Sequence, residues 1–404
     1  MLTEENKKMA ILKEAEVDKG RVSKAEALIM TPLSALWRTS VEVCDIYAMR
    51  RWLSGESTID VAFITNMRDD IDRTRFLGTY RPKSGHFTGP HFVLNGDILG
   101  RTIALDVTAK DLATEEGRQK ARIHFISAVT FAQKKGAKVC LLAAGTKHLF
   151  DNEVYGNGYI LKTLFPNMIF TLGDNGTSLL LVKETLRALK KAKLKPEESI
   201  IAILGAYGLL GEMNIKILLK RGYSLIGVGR NQAKNKAIEE KYGIRTCAEL
   251  EQVGKVDAVI ACTHGDSVCI TADNLHLLRK PDKKLLVIDV AEPSNFKKAE
   301  YNQVKKLVVR QDAGNAYNPG LAYILGPISY KLFRLSQGVQ FGCFAESMSL
   351  FSALRRGEDL TKIDLFEVSM SAMKIVQRFF REDGYVIPSP RSHGKLVKSF
   401  NLNL

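Results

Sequence analysis

Ser199-Ile-Ile-Ala-Ile-Leu-Gly-Ala-Tyr-Gly-Leu-Leu-Gly211, a helical stretch, and then Tyr223-Ser-Leu-Ile-Gly-Val-Gly-Arg-Asn231 form the stretch that decides the fold. Ile200 to Leu204 is an unbroken apolar run, the pattern of a strand covered on both faces of a parallel sheet. Gly205, Gly208 and Gly211 follow at once. Met213 to Lys220 reads as helix and Tyr223 to Val228 as the next strand. Glycines between a buried strand and a helix let backbone N–H groups and the helix start approach a pyrophosphate. The spacing therefore predicts a nucleotide loop over Gly205, Ala206, Tyr207, Gly208, Leu209, Leu210 and Gly211.

The second strand of this unit ends in Gly229-Arg230-Asn231. An NAD site usually presents a carboxylate here to the ribose hydroxyls, whereas an arginine suits the additional phosphate of NADP. No acidic residue occupies the position, so NADPH is the expected cofactor, with Arg230 and Asn231 as ligands. The alternative is a solvated arginine at a helix start.

The chain has 404 residues, 45% hydrophobic and 25% charged, enough for two or three domains of a soluble globular protein. No apolar run approaches the ~18 residues of a membrane span and no early segment resembles a secretory signal, so the cytoplasm is the expected compartment. The six cysteines show no metal-ligand spacing and read as reduced thiols without zinc; no metal is expected. The net charge of +15 suits an acidic carrier protein, an anionic membrane surface or nucleic acid. No nucleic-acid motif accompanies it, which disfavours the last.

The pattern divides the chain into a peripheral charged segment (1–27), an N-terminal α/β substrate domain (28–175), a connecting helix and linker (176–198), a Rossmann NADP-binding domain (199–315) and a C-terminal part (316–404). The fold class is α/β, with a doubly wound nucleotide domain and C-terminal helices. In the substrate domain, strands are expected at Val61–Thr65, Lys138–Ala143 and Met168–Leu172, and a hairpin over Phe92–Val107 turning at Asn95-Gly96. A helix is expected over Thr114–Lys135, facing inward through Ile123, Ile126, Val129 and Phe131 and stopped by Gly136. A long helix over Thr177–Leu194 leads to the linker Lys195-Pro196-Glu197-Glu198. Further strands are expected at Ala258–Cys262, Leu285–Val290 and Leu307–Arg310. The C-terminal part reads as an ordered loop (312–326), helices near 330–356 and 362–381, and a basic tail from Pro388 to Leu404.

Gly342-Cys343-Phe344-Ala345-Glu346-Ser347-Met348 carries the second chemical signal. If Gly342 opens a helical turn, the helix N-terminus stabilises a Cys343 thiolate. A thiolate beside a nicotinamide can take an acyl group from a thioester and hold it for reduction. Glu346, one turn on, can handle a proton or interact with the helix start. By the residues alone, however, a cysteine among Phe and Met reads first as a small core residue.

These residues resemble the long-chain fatty acyl-(acyl carrier protein) reductases of cyanobacteria, over roughly residues 94–385. Gly342–Met348 is similar to that family's Ala-Cys-Phe-Ala-Glu-Ala-Met, whose cysteine accepts the acyl group. Gly205–Gly211 is similar to its Gly-Ala-Thr-Gly-Asp-Ile-Gly loop, with Tyr207 in place of Thr and Leu209 in place of Asp. Arg230-Asn231-Gln232, Ala132–Gly136 and Thr171–Thr177 have counterparts in the same order. The stretch from Asn315 to Ile328 is longer than in the family. The resemblance implies an NADPH-dependent, aldehyde-forming reductase of an acyl carrier protein or coenzyme A thioester, with Cys343 as nucleophile.

Weaker candidates complete the site. Thr263 and His264 follow an apolar strand at the edge where such sheets bind ligands; Thr263 is expected at the cofactor and His264 at the substrate, although His264 reads first as a plain loop histidine. Thr177 and Ser178 open a helix, as caps or as substrate neighbours. Gly314, at another strand end, is expected near the nicotinamide and substrate. Two rival readings stand beside the reductase. One is an NADP-dependent alcohol or hydroxy-acid dehydrogenase with a structural Cys343. The other is a noncatalytic nucleotide-sensing or nucleic-acid-binding protein. Peripheral contact with membrane lipid accompanies the reductase reading.

Overall fold

The computed structural model describes residues 23–150, 156–263 and 268–404. Its contacts divide the chain into two compact units, one of residues 1–171 with 322–329, the other of residues 172–321 with 330–404.

The first unit opens with α1 (Lys24–Val43) and α2 (Ile46–Leu53). Its sheet follows, built from β1 (Val61–Met67), β2 (His86–Leu94), β3 (Ile98–Thr108), β4 (Val139–Leu142) and β5 (Ile169–Thr171). α3 (Asp70–Leu77), α4 (Glu115–Lys134) and α5 (Gly156–Leu164) connect them. The order runs β2-β3-β1-β4-β5, with β13 (Leu321–Tyr323) returning to pair with β2 at the edge. β1, β3, β4 and β5 are mutually parallel, and β2 is antiparallel to β3.

The hairpin turns where Asn95-Gly96 predicts it, both residues having positive φ (52° and 74°). β2 nevertheless begins at His86, ahead of the expected Phe92, because a register shift between Thr88 and His91 accommodates Gly89-Pro90. The inward face of α4 also differs from expectation. Ile123 is 68% exposed, while Ala121, Phe125, Ala128, Val129 and Ala132 are buried. Alanines at helical spacing let the helix sit close to the sheet, so volume, not apolarity alone, chose the face.

In the second unit the strands are β6 (Ile200–Leu204), β7 (Ser224–Val228), β8 (Arg245–Cys247), β9 (Ala258–Ala261), β10 (Leu285–Asp289) and β11 (Val308–Asp312). They are all parallel, in the order β8-β7-β6-β9-β10-β11, the doubly wound order of a dinucleotide-binding sheet. α7 (Leu209–Leu219) and α8 (Gln232–Tyr242) link the first strands. α7 begins at Leu209, earlier than the expected Met213, because Gly208 serves as its N-cap.

The segment expected to be a connector is α6 (Asp174–Lys191) and a 3₁₀ turn (Pro196–Glu198). Leu181, Ala188 and Leu189 of α6 lie in the same core as Ile201, Ile203 and Ile215, so it is a wall of the nucleotide unit. The loop over 312–326 holds two short strands, β12 (Asn315–Tyr317) and β13. The single helix expected near 330–356 is instead α11 (Pro327–Leu332), β14 (Val339–Phe341) and α12 (Gly342–Arg355), with α9 (Leu275–Leu278) and α10 (Lys298–Val304) preceding them. Positive φ at Arg334 and Gly338 breaks the helix, and β14 pairs antiparallel with β12. α13 (Met370–Glu382) follows; α6 packs against α7, α12 and α13.

The basic tail is not a free arm. Arg391-Ser392 and Lys395-Leu396 form a small hairpin against β11, and Phe400 and Leu402 are buried in the sheet core. It covers an edge strand that would otherwise present unpaired backbone groups. Beneath it Arg310, 1% exposed, bridges Asp289 (2.8 Å) and Asp312 (2.6 Å). Among the described residues no helix is long and apolar enough to cross a membrane.

Candidate active site

The nucleotide loop leaves β6 at Gly205, whose φ of +83° favours glycine. A Cβ there would lie 3.1 Å from the Cys262 carbonyl carbon and 3.2 Å from the Thr263 nitrogen. The Gly208 N–H donates to the Gly205 carbonyl at 3.0 Å and closes the turn. A Cβ on Gly211 would strike that same carbonyl oxygen, which is why the third glycine is needed. Gly208 makes no side-chain cap, so the turn itself presents the N-terminus of α7. This is a cradle of backbone donors that an anion fits, and the residues suit the pyrophosphate of a dinucleotide.

At the end of β7, the ring of Tyr207 lies over Gly229, where any Cβ would collide with it. Lys234, one turn into α8, places its Nζ 5.6 Å from the centre of that ring. Arg230 is exposed on the same strand end. Asn231 is the N-cap of α8, its Oδ1 accepting from the Lys234 N–H at 3.0 Å, so this side chain is committed to the helix start. The Thr263 hydroxyl, buried, accepts from Asn295 Nδ2 at 2.7 Å. His264 lies outside the described residues.

The second cluster assembles around three glycines. Gly314 follows β11 with φ +77°. Its carbonyl accepts the Gly342 N–H at 2.8 Å, and its own N–H donates to Glu184 Oε2 of α6 at 2.6 Å. A Cβ on Gly342 would sit 2.7 Å from the Gly314 oxygen and 2.9 Å from Thr177 Cα; one on Gly176 would sit 2.9 Å from both Glu346 Cβ and the Gly342 oxygen. The starts of α6 and α12 therefore meet backbone to backbone. Cys343, partly exposed, stands in the first turn of α12 after the N-cap Phe341. That places its sulfur in the positive field of the helix N-terminus.

This cluster belongs to the carboxyl edge of the nucleotide sheet. Val290 N–H donates to Ala261 O, and Ala313 N–H to Asp289 O, so the ends of β9, β10 and β11 are stitched in sequence toward Gly314. Cys343 and the glycine loop thus lie along one sheet edge, the side on which doubly wound sheets bind ligands.

The other expected residues fall as follows. Glu346 is fully buried and its Oε2 accepts the Gly176 N–H at 2.6 Å, anchoring α12 to the start of α6. Thr177 and Ser178 do not cap α6, whose N-cap is Gly173. Thr177 returns its hydroxyl to Gly173 O at 2.9 Å and touches the Gly314 turn, whereas Ser178 is fully buried. Both backbone groups of Gly314 are engaged within the fold, and so is the Gly342 N–H.

Glu184 is the residue that sequence reading missed. It takes the N–H groups of Gly314 and Asn315 and stands 3.5 Å from Arg187, and burial pushes its carboxyl up to about 8. The available signal was a glutamate three and four residues from Leu181 and Ala188, on the inward side of α6.

The parallel order β8-β7-β6-β9-β10-β11 with a glycine turn after β6 defines the second unit as a Rossmann-type, doubly wound fold. Residues 187–310 match the family model of shikimate / quinate 5-dehydrogenase. No curated protein is similar to the chain in sequence. Among solved structures, L-tryptophan dehydrogenase from Nostoc punctiforme is similar at TM-score 0.37 and 10% identity, over 80% of this chain and 88% of that one. A dipicolinate synthase from Bacillus halodurans is similar at TM-score 0.30 and 14% identity, over 43% of this chain and 58% of that one. Shikimate 5-dehydrogenase from Thermus thermophilus is similar at TM-score 0.27 and 17% identity, over 53% of this chain and 62% of that one. The chain spans less than two thirds of the length of the last two.

Proposed function

We infer that this protein is an NADPH-dependent reductase of acyl thioesters, carried by an acyl carrier protein or coenzyme A, that releases an aldehyde in the cytoplasm. The observation that carries the reading is the seat of Cys343: a helix N-terminus fastened, through Gly342 N–H to Gly314 O at 2.8 Å, to the carboxyl edge of the nucleotide sheet. The dehydrogenase family matched over 187–310 supports the oxidoreductase part.

The Gly205–Gly211 loop and the start of α7 would hold the pyrophosphate, and Arg230 with Lys234 the additional phosphate. The cofactor, when bound, supplies the two electrons and the hydrogen that reduce the acyl group. Cys343 Sγ, as thiolate, bonds to the thioester carbonyl carbon, and the carrier's C–S bond breaks, its thiolate taking a proton from solvent. After reduction the hemithioacetal oxyanion collapses, the Cys343 C–S bond breaks, and the aldehyde leaves with the thiolate restored. The α12 dipole stabilises the thiolate at both ends of the cycle. Basic surface residues would meet the acidic carrier or the coenzyme A phosphates.

The family match also favours a second reading, an NADP-dependent alcohol or hydroxy-acid dehydrogenase in which Cys343 only packs. One experiment separates the two. Protein mixed with an acyl thioester and no NADPH should gain the acyl mass on the Cys343 peptide, and adding NADPH should release aldehyde. Cys343→Ser should bind NADPH but yield neither adduct nor aldehyde. An unmodified Cys343 peptide, with reduction proceeding at the parent rate in Cys343→Ser, defeats the covalent reading.

A further inference from the structure

The end of β7 is a fixed floor with an aromatic ring standing on it. Gly229 N–H donates to Cys247 O at 3.0 Å and Asn235 Nδ2 donates to Gly229 O, so the residue is tied on both sides. A Cβ there would collide with Cε1 of Tyr207 and lie 2.8 Å from its Cδ1. The loop that carries the ring is fixed as well: Ala206 N–H donates to Val228 O at 3.3 Å and Gly208 N–H to Gly205 O at 3.0 Å. Lys234 holds its Nζ over the ring, 5.6 Å from its centre, within the range of a cation–π contact. This is an unfavourable place for a cation. The first turn of α8 lies at the positive end of the helix dipole and contains no acidic residue. The carboxylates of this region are engaged elsewhere: Glu239 accepts the Thr246 N–H at 2.8 Å, Glu240 pairs with Lys236 at 3.9 Å, and Glu212 with Lys241 at 2.7 Å. Asn235 Oδ1, on a side chain 5% exposed, has no partner among the described residues and stands 3.1 Å from where the Gly229 Cβ would be. The wall beside the ring thus offers an unused acceptor, which a sugar hydroxyl suits.

We propose that Tyr207 is a positioning residue for cofactor selection: its ring holds Lys234 at the end of β7, where Lys234 and Arg230 together bind the 2′-phosphate of the adenosine ribose. The proposal rests on the NADPH reading above and names the side chain that sets its selectivity. In a doubly wound sheet the ribose is bound at the end of the unit's second strand, which is where Gly229 stands. A lysine with nothing to hold it would turn into solvent, away from the positive end of α8. The π face of Tyr207 offsets part of that repulsion and narrows the side chain's freedom. An incoming phosphate then meets two cations and the α8 dipole together. NADH carries no such phosphate, gains nothing from Lys234, and is therefore indifferent to the ring.

The test is calorimetric titration of the full chain with NADPH and with NADH, in the absence of substrate. The parent should bind NADPH the more tightly. Lys234→Ala should weaken NADPH binding about 10-fold or more and leave NADH nearly unchanged. Tyr207→Ala should weaken NADPH about 2- to 5-fold, the size of an exposed cation–π contact, again without touching NADH. Tyr207→Phe keeps the ring and should match the parent. In a Lys234→Ala background, Tyr207→Ala should have no further effect on NADPH, a coupling that loop packing alone would not produce. Equal losses of NADPH and NADH in Tyr207→Ala overturn the proposal and assign the ring to the adenine or to the loop's own packing. Tighter binding of both overturns it by making the ring an obstruction, and additive losses in the double variant overturn it as well. A parent with no preference for NADPH defeats the cofactor reading and the proposal with it, whereas a selective parent unmoved by Tyr207→Ala defeats the proposal alone.

Discussion

Glu184→Gln isolates one buried carboxyl. Glu184 is enclosed by α6 and the Gly314 turn, with Arg187 3.5 Å away and Asp312 near enough to oppose its ionisation. Burial raises the folded-state value from an ordinary 4.5 to about 8. Between those values the folded state binds the proton more tightly than the unfolded chain, so unfolding free energy falls as pH rises. The stability from this group is complete below pH 4.5 and lost as pH passes 8. At about 1.4 kcal/mol per pH unit, the interval amounts to at most about 5 kcal/mol. Glutamine keeps an acceptor for the Gly314 N–H but cannot ionise. The variant should therefore match the parent near pH 5 and exceed it increasingly toward pH 9, by several kcal/mol. Paired urea melts of parent and variant at each pH cancel the titration of every other group. A constant difference across pH would show that Glu184 ionises normally, and with it that the Gly314 turn is open to water.

Arg230→Ala should weaken NADPH binding about 10- to 100-fold and leave NADH nearly unchanged, the loss of one charge-assisted phosphate contact of roughly 1.5–3 kcal/mol; calorimetry with both cofactors decides it, and equal losses refute the assignment. Gly342→Ala must displace backbone, since its Cβ would lie 2.7 Å from the Gly314 oxygen, so it should cost about 1–3 kcal/mol in thermal melts and slow alkylation of Cys343. Alkylation followed by peptide mapping should find Cys44, which is exposed, and Cys343 first; Cys140 and Cys262 should lag, because burial pushes both thiols well up. Turnover of a carrier-bound thioester should weaken with salt more steeply than that of a short neutral thioester, and indifference to salt would leave the +15 charge without this role.

The nucleotide unit was legible because its signals are local. Ile200–Leu204, the glycines at 205, 208 and 211, and Ser224–Val228 each dictate backbone geometry within a few residues, and the structure sets them as read. The same holds for Asn95-Gly96 and for Gly136 after α4. The Cys343 turn was half legible. Gly342 marked the helix start, but that Gly176, Gly314 and Gly342 answer one another required three segments far apart in sequence to be folded together.

The sequence by itself determined a doubly wound nucleotide sheet and a cysteine at a helix start, since apolar runs and glycine conformations act on their nearest neighbours. Only tertiary structure decided that Glu346 and Glu184 are internal anchors, that the basic tail is a strap over β11, and that Ile123 faces outward while Ala121 faces in. Each of those outcomes depends on which backbone donor or neighbouring surface arrives from a distant segment. A carboxylate's role follows the N–H placed beside it, and a helix face follows the gap it must fill.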